Sequence, residues 1–385
     1  MIMLPIKSIK LKNFKSYKEQ SFDLSGLNVF CGNNSVGKST VMQAIGMVLQ
    51  SDFGSKNDIK LNGELINIGR IDDIINDFIS DDDQLKITLS VKECEVSWGV
   101  TQEDSANLRN ELPCISGMDS IKTIKDFINA SNFQYIEAER IGPRDNISLS
   151  QHNFHSDWLG KKGEYVIEVL DNIMNRQDRL ILKDGNPNKD DPRIHHNYNN
   201  VRVANNIQAW MDEISPNYKI QPKLEVSANI AYNTIQAESG KQTKPKNIGF
   251  GYSYALSIVS ALLLAKPGEL VVLENPEAHL HPRGQSYMGR LIAYTAQAGV
   301  QVLIETHSDH LLNGIRVVAR TSPDFSPELI SLFYISHENN ESTAEKISIG
   351  KDGKLSSWPK GFFDQQSIDM YTIMTGSFDT PDSMK

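Results

Sequence analysis

Residues Gly32-Asn33-Asn34-Ser35-Val36-Gly37-Lys38-Ser39 match the phosphate-binding pattern GxxxxGK[ST] in full. An apolar run, Leu27-Asn28-Val29-Phe30-Cys31, precedes them, and Thr40-Val41-Met42-Gln43-Ala44-Ile45 follows with helical character. Strand, glycine loop and helix in that order constrain the chain to an α/β core with an anion site at a helix N-terminus. The glycines let the backbone curl so that successive N–H groups point at phosphate oxygens. Lys38 is then placed for the β- and γ-phosphates and Ser39 for Mg²⁺, with Thr40 opening the helix behind them. The expected ligands are a nucleotide and Mg²⁺.

A chain of 385 residues holds one large α/β domain with insertions, or two domains. With 39% hydrophobic and 23% charged residues, the composition is that of an ordinary globular protein. No apolar stretch approaches the ~20 residues of a membrane span, since the longest, 254–265, contains serines and stops at Lys266-Pro267-Gly268. No membrane contact is expected. Lysines recurring from Lys7 to Lys18 break any signal-peptide core. Cys31, Cys94 and Cys114 have neither metal-ligand spacing nor an even count, which suits a reducing cytoplasm. The net charge of −9 argues against a protein coated in nucleic acid but permits a local basic groove.

The segment Ile6-Lys7-Ser8-Ile9-Lys10-Leu11-Lys12-Asn13-Phe14 alternates like a half-exposed strand, with 21–24 as an antiparallel partner. Further strands are expected at 85–91, 95–100 and 133–138, and the run Asp81-Asp82-Asp83 reads as a solvated turn. Residues 148–246 read as an inserted helical lobe with helices near 163–174 and 205–214 and a mobile loop at 184–200. The last third alternates helix and strand: helices 254–265, 283–298 and 310–320 with strands 270–273 and 301–305. Its two apolar strands imply a parallel sheet covered by helices. No heptads persist long enough for a coiled coil.

Leu270-Val271-Val272-Leu273-Glu274-Asn275-Pro276-Glu277 is an apolar strand ending in carboxylates, the shape of a Walker B element. A carboxylate there can hold the magnesium hydration shell or orient an attacking water. A second apolar strand ends in Thr306-His307-Ser308, where a histidine can reach the γ-phosphate. His279, His281, His307 and His310 also permit a competing zinc or di-metal hydrolase reading.

Taken together, the chain resembles ABC-type ATPase heads of the RecF, SMC and OLD (overcoming-lysogenisation-defect) group. The resemblance is carried by Ile9 to Ser16, the glycine loop, Glu274-Asn275-Pro276-Glu277-Ala278-His279-Leu280-His281-Pro282 and Glu305-Thr306-His307-Ser308-Asp309-His310. Within the group it is similar to a compact bacterial subgroup with Ala-Glu-Arg-Ile-Gly-Pro-Arg at 138–144. That subgroup carries a signature-like loop, here Asn247-Ile248-Gly249-Phe250-Gly251-Tyr252-Ser253. Its small C-terminal domain closes here with Trp358-Pro359-Lys360-Gly361-Phe362-Phe363-Asp364.

The resemblance implies an ABC head with a P-loop mixed sheet, an antiparallel β subdomain and an inserted helical lobe. Expected boundaries are 1–147 and 247–325 for the two parts of the head, 148–246 for the lobe and 326–385 for the C-terminal domain and tail. It implies an ATPase, with ATP as the nucleotide, whose two copies meet head to tail as a homodimer, or as part of a larger oligomer. Each ATP then lies between one copy's P-loop and Gly249, Gly251 and Ser253 of the other. His307 matches the switch histidine, and His281 falls on the loop that crosses the dimer. Gln134 begins its strand, which leaves the glutamine loop unassigned. Arg140 and Arg144 are open to phosphate, lobe or salt-bridge roles.

One departure matters. The usual strand ends in Asp-Glu, but here it ends in Glu274 and Asn275, so a metal role falls to Glu274 with Ser39. Asparagine is no general base. Slow hydrolysis, supported by Glu277 or Glu274, is expected. OLD relatives carry a nuclease domain after the head, for which the segment after His310 is too short, so cutting or toxic activity is assigned to a partner protein. The expected function is an ATPase subunit controlling a nuclease or toxin in a DNA-related, anti-phage defence system. Alternatives are a RecF/SMC-like DNA-repair ATPase and a non-hydrolysing scaffold that sequesters an effector. A transporter ATPase is disfavoured by the absence of a full signature and glutamine loop. Lys7, Lys10, Lys12, Lys15 and Lys18 are a candidate DNA-contacting edge, or equally a solvated strand face.

Overall fold

The computed structural model describes residues 5–376, apart from 55, 80–82, 102–109, 131, 151–153, 177–178, 184–185, 199, 238, 360–361 and 363–364. Asp81 and Asp82 of the expected acidic turn therefore lie outside the described residues. So do Asp184, Gly185 and Asn199 of the expected loop, and Lys360, Gly361, Phe363 and Asp364 of the closing motif.

The chain opens with a hairpin, β1 (Ser8–Phe14) and β2 (Tyr17–Asp23), and then enters the molecule's centre as β3 (Leu27–Gly32). Helix α1 (Lys38–Leu49) follows the glycine loop. Strands β4 (Gln84–Val91) and β5 (Cys94–Thr101) return to the hairpin, giving an antiparallel sheet of order β2-β1-β4-β5 with Cys114–Ser116 at its edge. Helix α2 (Ile121–Ala130) leads to β6 (Phe133–Ile136).

The stretch expected to be a helical lobe contributes α3 (Val166–Asp171) and α4 (Val203–Ile214), and also a long hairpin. Its strands, β7 (Tyr218–Glu225) and β8 (Ile230–Ala237), pair over their full length. The lobe is thus mixed α/β. Part of the loop expected to be mobile is firmly anchored. Arg193 is buried, pairs with both oxygens of Asp191 and donates to the carbonyls of Leu262 and Ala265. Those carbonyls end α5 (Phe250–Leu264), whose last turn would otherwise leave acceptors unpaired.

After α5 come β9 (Leu270–Glu274), α6 (Pro282–Gln297), β10 (Gln301–Glu305) and α7 (Asp309–Thr321). The hairpin β11 (Ile330–Glu338) and β12 (Glu341–Ile347) and the helix α8 (Gln365–Thr375) complete the chain. The central sheet has the order β12-β11-β3-β10-β9-β6, with every neighbour parallel except β12. Residues 330–347, expected in a separate C-terminal domain, therefore extend the main sheet.

Alternation along the buried strands separates two cores. Leu27, Val29, Val271, Leu273, Val302 and Ile304 face α5, α6 and α7, whereas Phe30, Leu270, Val272, Leu303 and Phe333 face α1 and the antiparallel sheet. Helix α5 is apolar nearly all round because it is buried on all sides. Among the described residues no helix is long and apolar enough to cross a membrane, and none forms a coiled coil.

Helices α6 and α7 cross at two glycines. A Cβ on Gly289 would stand 2.1 Å from the Leu311 carbonyl oxygen, and one on Gly314 would stand 2.0 Å from that of Ser286. Either contact must be relieved by backbone movement. Gly289→Ala and Gly314→Ala are each expected to destabilise the chain by about 1–3 kcal/mol. The effect should appear as a lowered urea midpoint with an unchanged slope.

Candidate functional site

The glycine loop owes its shape to close backbone approaches. Gly32 has φ of +142°, and a Cβ there would lie 2.1 Å from the Ile335 carbonyl of the neighbouring β11. Gly37 has φ of +103° and faces Ser16 and Tyr17, whose hydroxyl donates to its carbonyl at 3.0 Å. Ser35 adopts a left-handed conformation between them. Asn33, Asn34 and Ser35 are exposed, Val36 and Thr40 are buried, and no side chain caps the N–H groups that open α1. A ring of unpaired donors at a helix N-terminus is the arrangement an oxyanion needs.

Lys38 is 3% exposed. Its ammonium donates to the Asn33 carbonyl and sits 3.9 Å from Glu305 Oε1, and burial pulls its pKa below the usual lysine value. The Ser39 hydroxyl donates to Glu305 Oε2 at 2.7 Å. The carboxylate meeting the P-loop is thus Glu305 at the tip of β10.

Glu274 stands beside it, in register with Glu305 across the parallel pair. It accepts from the Tyr135 hydroxyl at 2.9 Å and from Ala138 N–H at 3.1 Å. Burial raises its pKa, and the Glu305 charge adds to the rise. Glu277 accepts the His307 N–H at 2.7 Å, and burial raises its pKa too. The His307 ring lies 3.8 Å from Glu305 Oε1.

Asn275 has φ of +46°, a conformation that asparagine tolerates better than most residues. Its N–H donates to the Glu305 carbonyl and its own carbonyl accepts from Arg140, while its Oδ1 is buried without a partner. Arg140 also binds the carbonyls of Glu137 and Glu274, lies 4.9 Å above the Tyr254 ring, and has its pKa pulled down to about 10 by burial. Arg140 thus clamps the main chain of the strand tip. Arg144 lines a cleft with Asn146, Asn233 and Ser253. Gln134 is a buried tie, donating to the Asp157 carbonyl and accepting from Leu159 N–H.

The signature-like segment starts α5 four residues earlier than its sequence suggests. Gly249 is the N-cap residue and has open space where a Cβ would point. Gly251 packs against the His279 carbonyl, where a Cβ would come within 2.5 Å, and half-exposed Phe250 lies tilted against the His279 ring. Ser253 lies in the first turn. Within one chain this segment rests on 142 and 279–280, whereas the P-loop rests on 16–17 and 335.

His281 accepts from Arg283 N–H and caps α6. The competing zinc reading of His279, His281, His307 and His310 is not supported, because among the described residues these four do not gather into a ligand cluster. The N-terminal lysines are largely compensated. Lys7 pairs with Glu93, Lys10 with Glu95, Lys12 with Asp83 at 2.7 Å and Lys18 with Glu341, while Lys15 donates to Gln43.

Parallel strand tips, a glycine loop holding lysine and serine, and adjacent carboxylates define an ABC-type ATPase head. The chain belongs to the AAA ATPase domain family, whose model matches residues 5–153 and 119–312 in overlapping stretches, and within it to the RecF/SMC/OLD group. A second model, for a protein family of unknown function (DUF3696), matches 325–373. The Old nuclease of Escherichia phage P2 is 21% identical over 363 residues, which is 85% of this chain and 61% of that protein. The DNA replication and repair protein RecF of Clostridium novyi (strain NT) is 25% identical over 183 residues, 46% of each chain. The chain thus spans less than two thirds of either relative. Among solved structures, an Smc head bound to the C-winged helix domain of ScpA is 13% identical, with a TM-score of 0.56 over 90% of this chain and 98% of its own. A Pyrococcus furiosus-derived Smc head with an extended coiled coil, bound to the C-terminal domain of ScpA, is 12% identical, with a TM-score of 0.55 over 96% and 99%. These two show the fold.

Sequence reasoning missed Glu305 and Tyr135 as site residues. The signal for Glu305 was present, since it ends an apolar strand directly before Thr306-His307. Its partnership with Ser39 depends on sheet order, which no local pattern encodes.

Because burial raises the pKa of Glu277, its folded carboxyl holds a proton more tightly than the unfolded one does. Ionisation therefore penalises the folded state as pH rises through 4.5 and beyond. Glu277→Gln retains the acceptor for His307 N–H and is expected to make the nucleotide-free chain more stable than the parent at pH 7. The gain should fade below pH 4.5, as followed by urea midpoints across pH.

Proposed function

We propose that this chain is an ATP-binding, slowly hydrolysing ATPase subunit that closes head to tail with a second copy and controls a partner effector. The observation that carries the reading is the convergence of Lys38, Ser39, Glu305 and Glu274 at the aligned strand tips, beside a left-handed Asn275. The donors fit Mg²⁺: hydroxyl and carboxylate oxygens suit a hard cation, and the orphaned Asn275 Oδ1 suits its bound water. Ser39, Glu305 and Glu274 would hold it, supplying charge neutralisation to the phosphates. Lys38 and the free N–H groups of the loop grip the phosphates.

With an amide at position 275, Glu277 is the base in this reading. Its raised proton affinity brings it nearer the working pH, and the His307 N–H fixes the orientation of its carboxylate. A second subunit's Gly249, Gly251 and Ser253 complete the phosphate shell. Open space at Gly249 and the exposed Phe250 support a trans contact there. The Old nuclease and RecF relatives support a DNA-related role, and the ScpA-bound heads support docking of a protein partner. We assign the partner as a nuclease or toxin and the setting as anti-phage defence in the cytoplasm.

Lys38→Ala is expected to abolish ATP binding in titration calorimetry. Glu277→Gln should retain binding but lower steady-state turnover about 10²-fold or more. Asn275→Glu should not raise turnover, because glutamate is strained at that φ. Rapid turnover indifferent to Glu277→Gln would overturn the assignment. Ser253→Arg is expected to leave ATP binding to the P-loop intact and abolish ATP-induced dimers in light scattering.

Asn275 also favours a second reading, a non-hydrolysing scaffold that holds an effector. Dimers forming on ATP with no turnover above the Lys38→Ala background would select it. A RecF-like repair role predicts ATP-dependent DNA binding that weakens steeply with salt.

A further inference from the structure

Away from the nucleotide site, His195, His196 and Glu213 bring their ligand atoms within 4.8 Å of one another. His195 is 3% exposed, yet its Nε2 has no hydrogen-bond partner. The nearest carboxylate oxygen, Glu213 Oε1, is 3.6 Å away, beyond a normal hydrogen bond. Buried polar atoms are nearly always paired, and this one points at a carboxylate with a second imidazole alongside.

We propose that His195, His196 and Glu213 form a Zn²⁺-class divalent cation site, with a coordination position left for water or a further ligand. Two imidazoles and a carboxylate suit zinc better than magnesium or calcium. Tetrahedral zinc with its usual bond lengths sets ligand atoms about 3.3 Å apart. The His195–Glu213 pair, at 3.6 Å, needs only a small contraction, and the other pairs, within 4.8 Å, need a larger one that the exposed His196 can supply.

The scaffold is already rigid. His195 N–H donates to Asn206 Oδ1 at 2.8 Å, and the Trp210 ring packs edge-on against the imidazole at 5.1 Å. Trp210 Nε1 donates to the Arg193 carbonyl, whose side chain is anchored to the end of α5. Glu213 Oε2 accepts from Arg283 at 2.8 Å, which orients the carboxylate with Oε1 toward His195. Burial and the neighbouring His196 lower the His195 pKa, which favours the neutral ring that a metal ligand needs. Coordination through Nε2 places the ring proton on Nδ1. That costs only the 3.3 Å contact from Asn197 N–H, on an exposed residue that water can serve instead.

Through Glu213 and Arg283 the cation would fasten the segment before α4 to the first turn of α6, directly after the loop that follows Glu274. The test uses the full chain, stripped with chelator and titrated with Zn²⁺ in excess Mg²⁺, with Co²⁺ absorption as a second readout. One Zn²⁺ per chain is expected. His196→Ala and Glu213→Gln should each weaken it at least about tenfold, and His310→Ala should leave it unchanged. Because His196 is exposed, its variant remains folded even where loss of the Arg283 contact harms Glu213→Gln. Failure of the parent to bind Zn²⁺, or affinity unchanged by His196→Ala, overturns the proposal. Either result leaves the nucleotide site untouched.

Discussion

Glu274, Glu305 and Phe30 lie in register at the ends of three neighbouring parallel strands, and this alignment governs where each polar group of the site can stand. Parallel strands place their carboxyl ends on one edge, so the loops that leave them share one crevice. β3 delivers the glycine loop, β10 delivers Glu305 and His307, and β9 delivers Glu274 and Glu277. Hydrogen bonds between loops then hold the arrangement: Thr306 N–H donates to the Phe30 carbonyl, Asn275 N–H to that of Glu305, and His307 N–H to the Glu277 carboxylate. A slip of one residue in any strand would separate Ser39 from Glu305 and turn the carboxylates to the wrong face.

The crevice is electrostatically uncomfortable in the chain alone. Lys38 is buried enough to weaken its hold on a proton, while Glu274 and Glu277 are buried enough to strengthen theirs. Each charge is disfavoured by the same lack of water. A polyanion near Lys38 and a hard cation near the carboxylates would offset both penalties together. Tyr135, Ala138 and Arg140 keep the carboxylate strand from relaxing away, since they fix Glu274 and the backbone around Asn275. Stability is thus set aside for readiness to bind.

Central strands and the helices between them were legible because fully buried parallel strands are short apolar runs, and 27–30, 270–273 and 301–305 are unmistakable as such. The glycine loop was legible because its chemistry tolerates few residues. Hairpins were harder. β7 and β8 are half-buried and polar on one face, so residues such as Lys219, Gln221 and Lys223 concealed them. β11 is a buried apolar strand, but only its place beside β3 shows that the C-terminal segment builds the head. Glu305, Arg140 and the pairing of His195 with Glu213 depend on contacts distant in sequence. Asn275 departs from the expected base, and its left-handed backbone gives it a local reason to be asparagine as well.

The reciprocal glycine contacts between α6 and α7 have a mechanical consequence. His281 caps α6 and Ser308 caps α7, and the Ser308 hydroxyl donates to Gln285 on α6. The two helices therefore start at the loop following Glu274 and the loop carrying His307, and they approach backbone to backbone at Gly289 and Gly314. Such contacts leave little play for one helix to shift without the other, so a displacement imposed at one loop would be felt at the other.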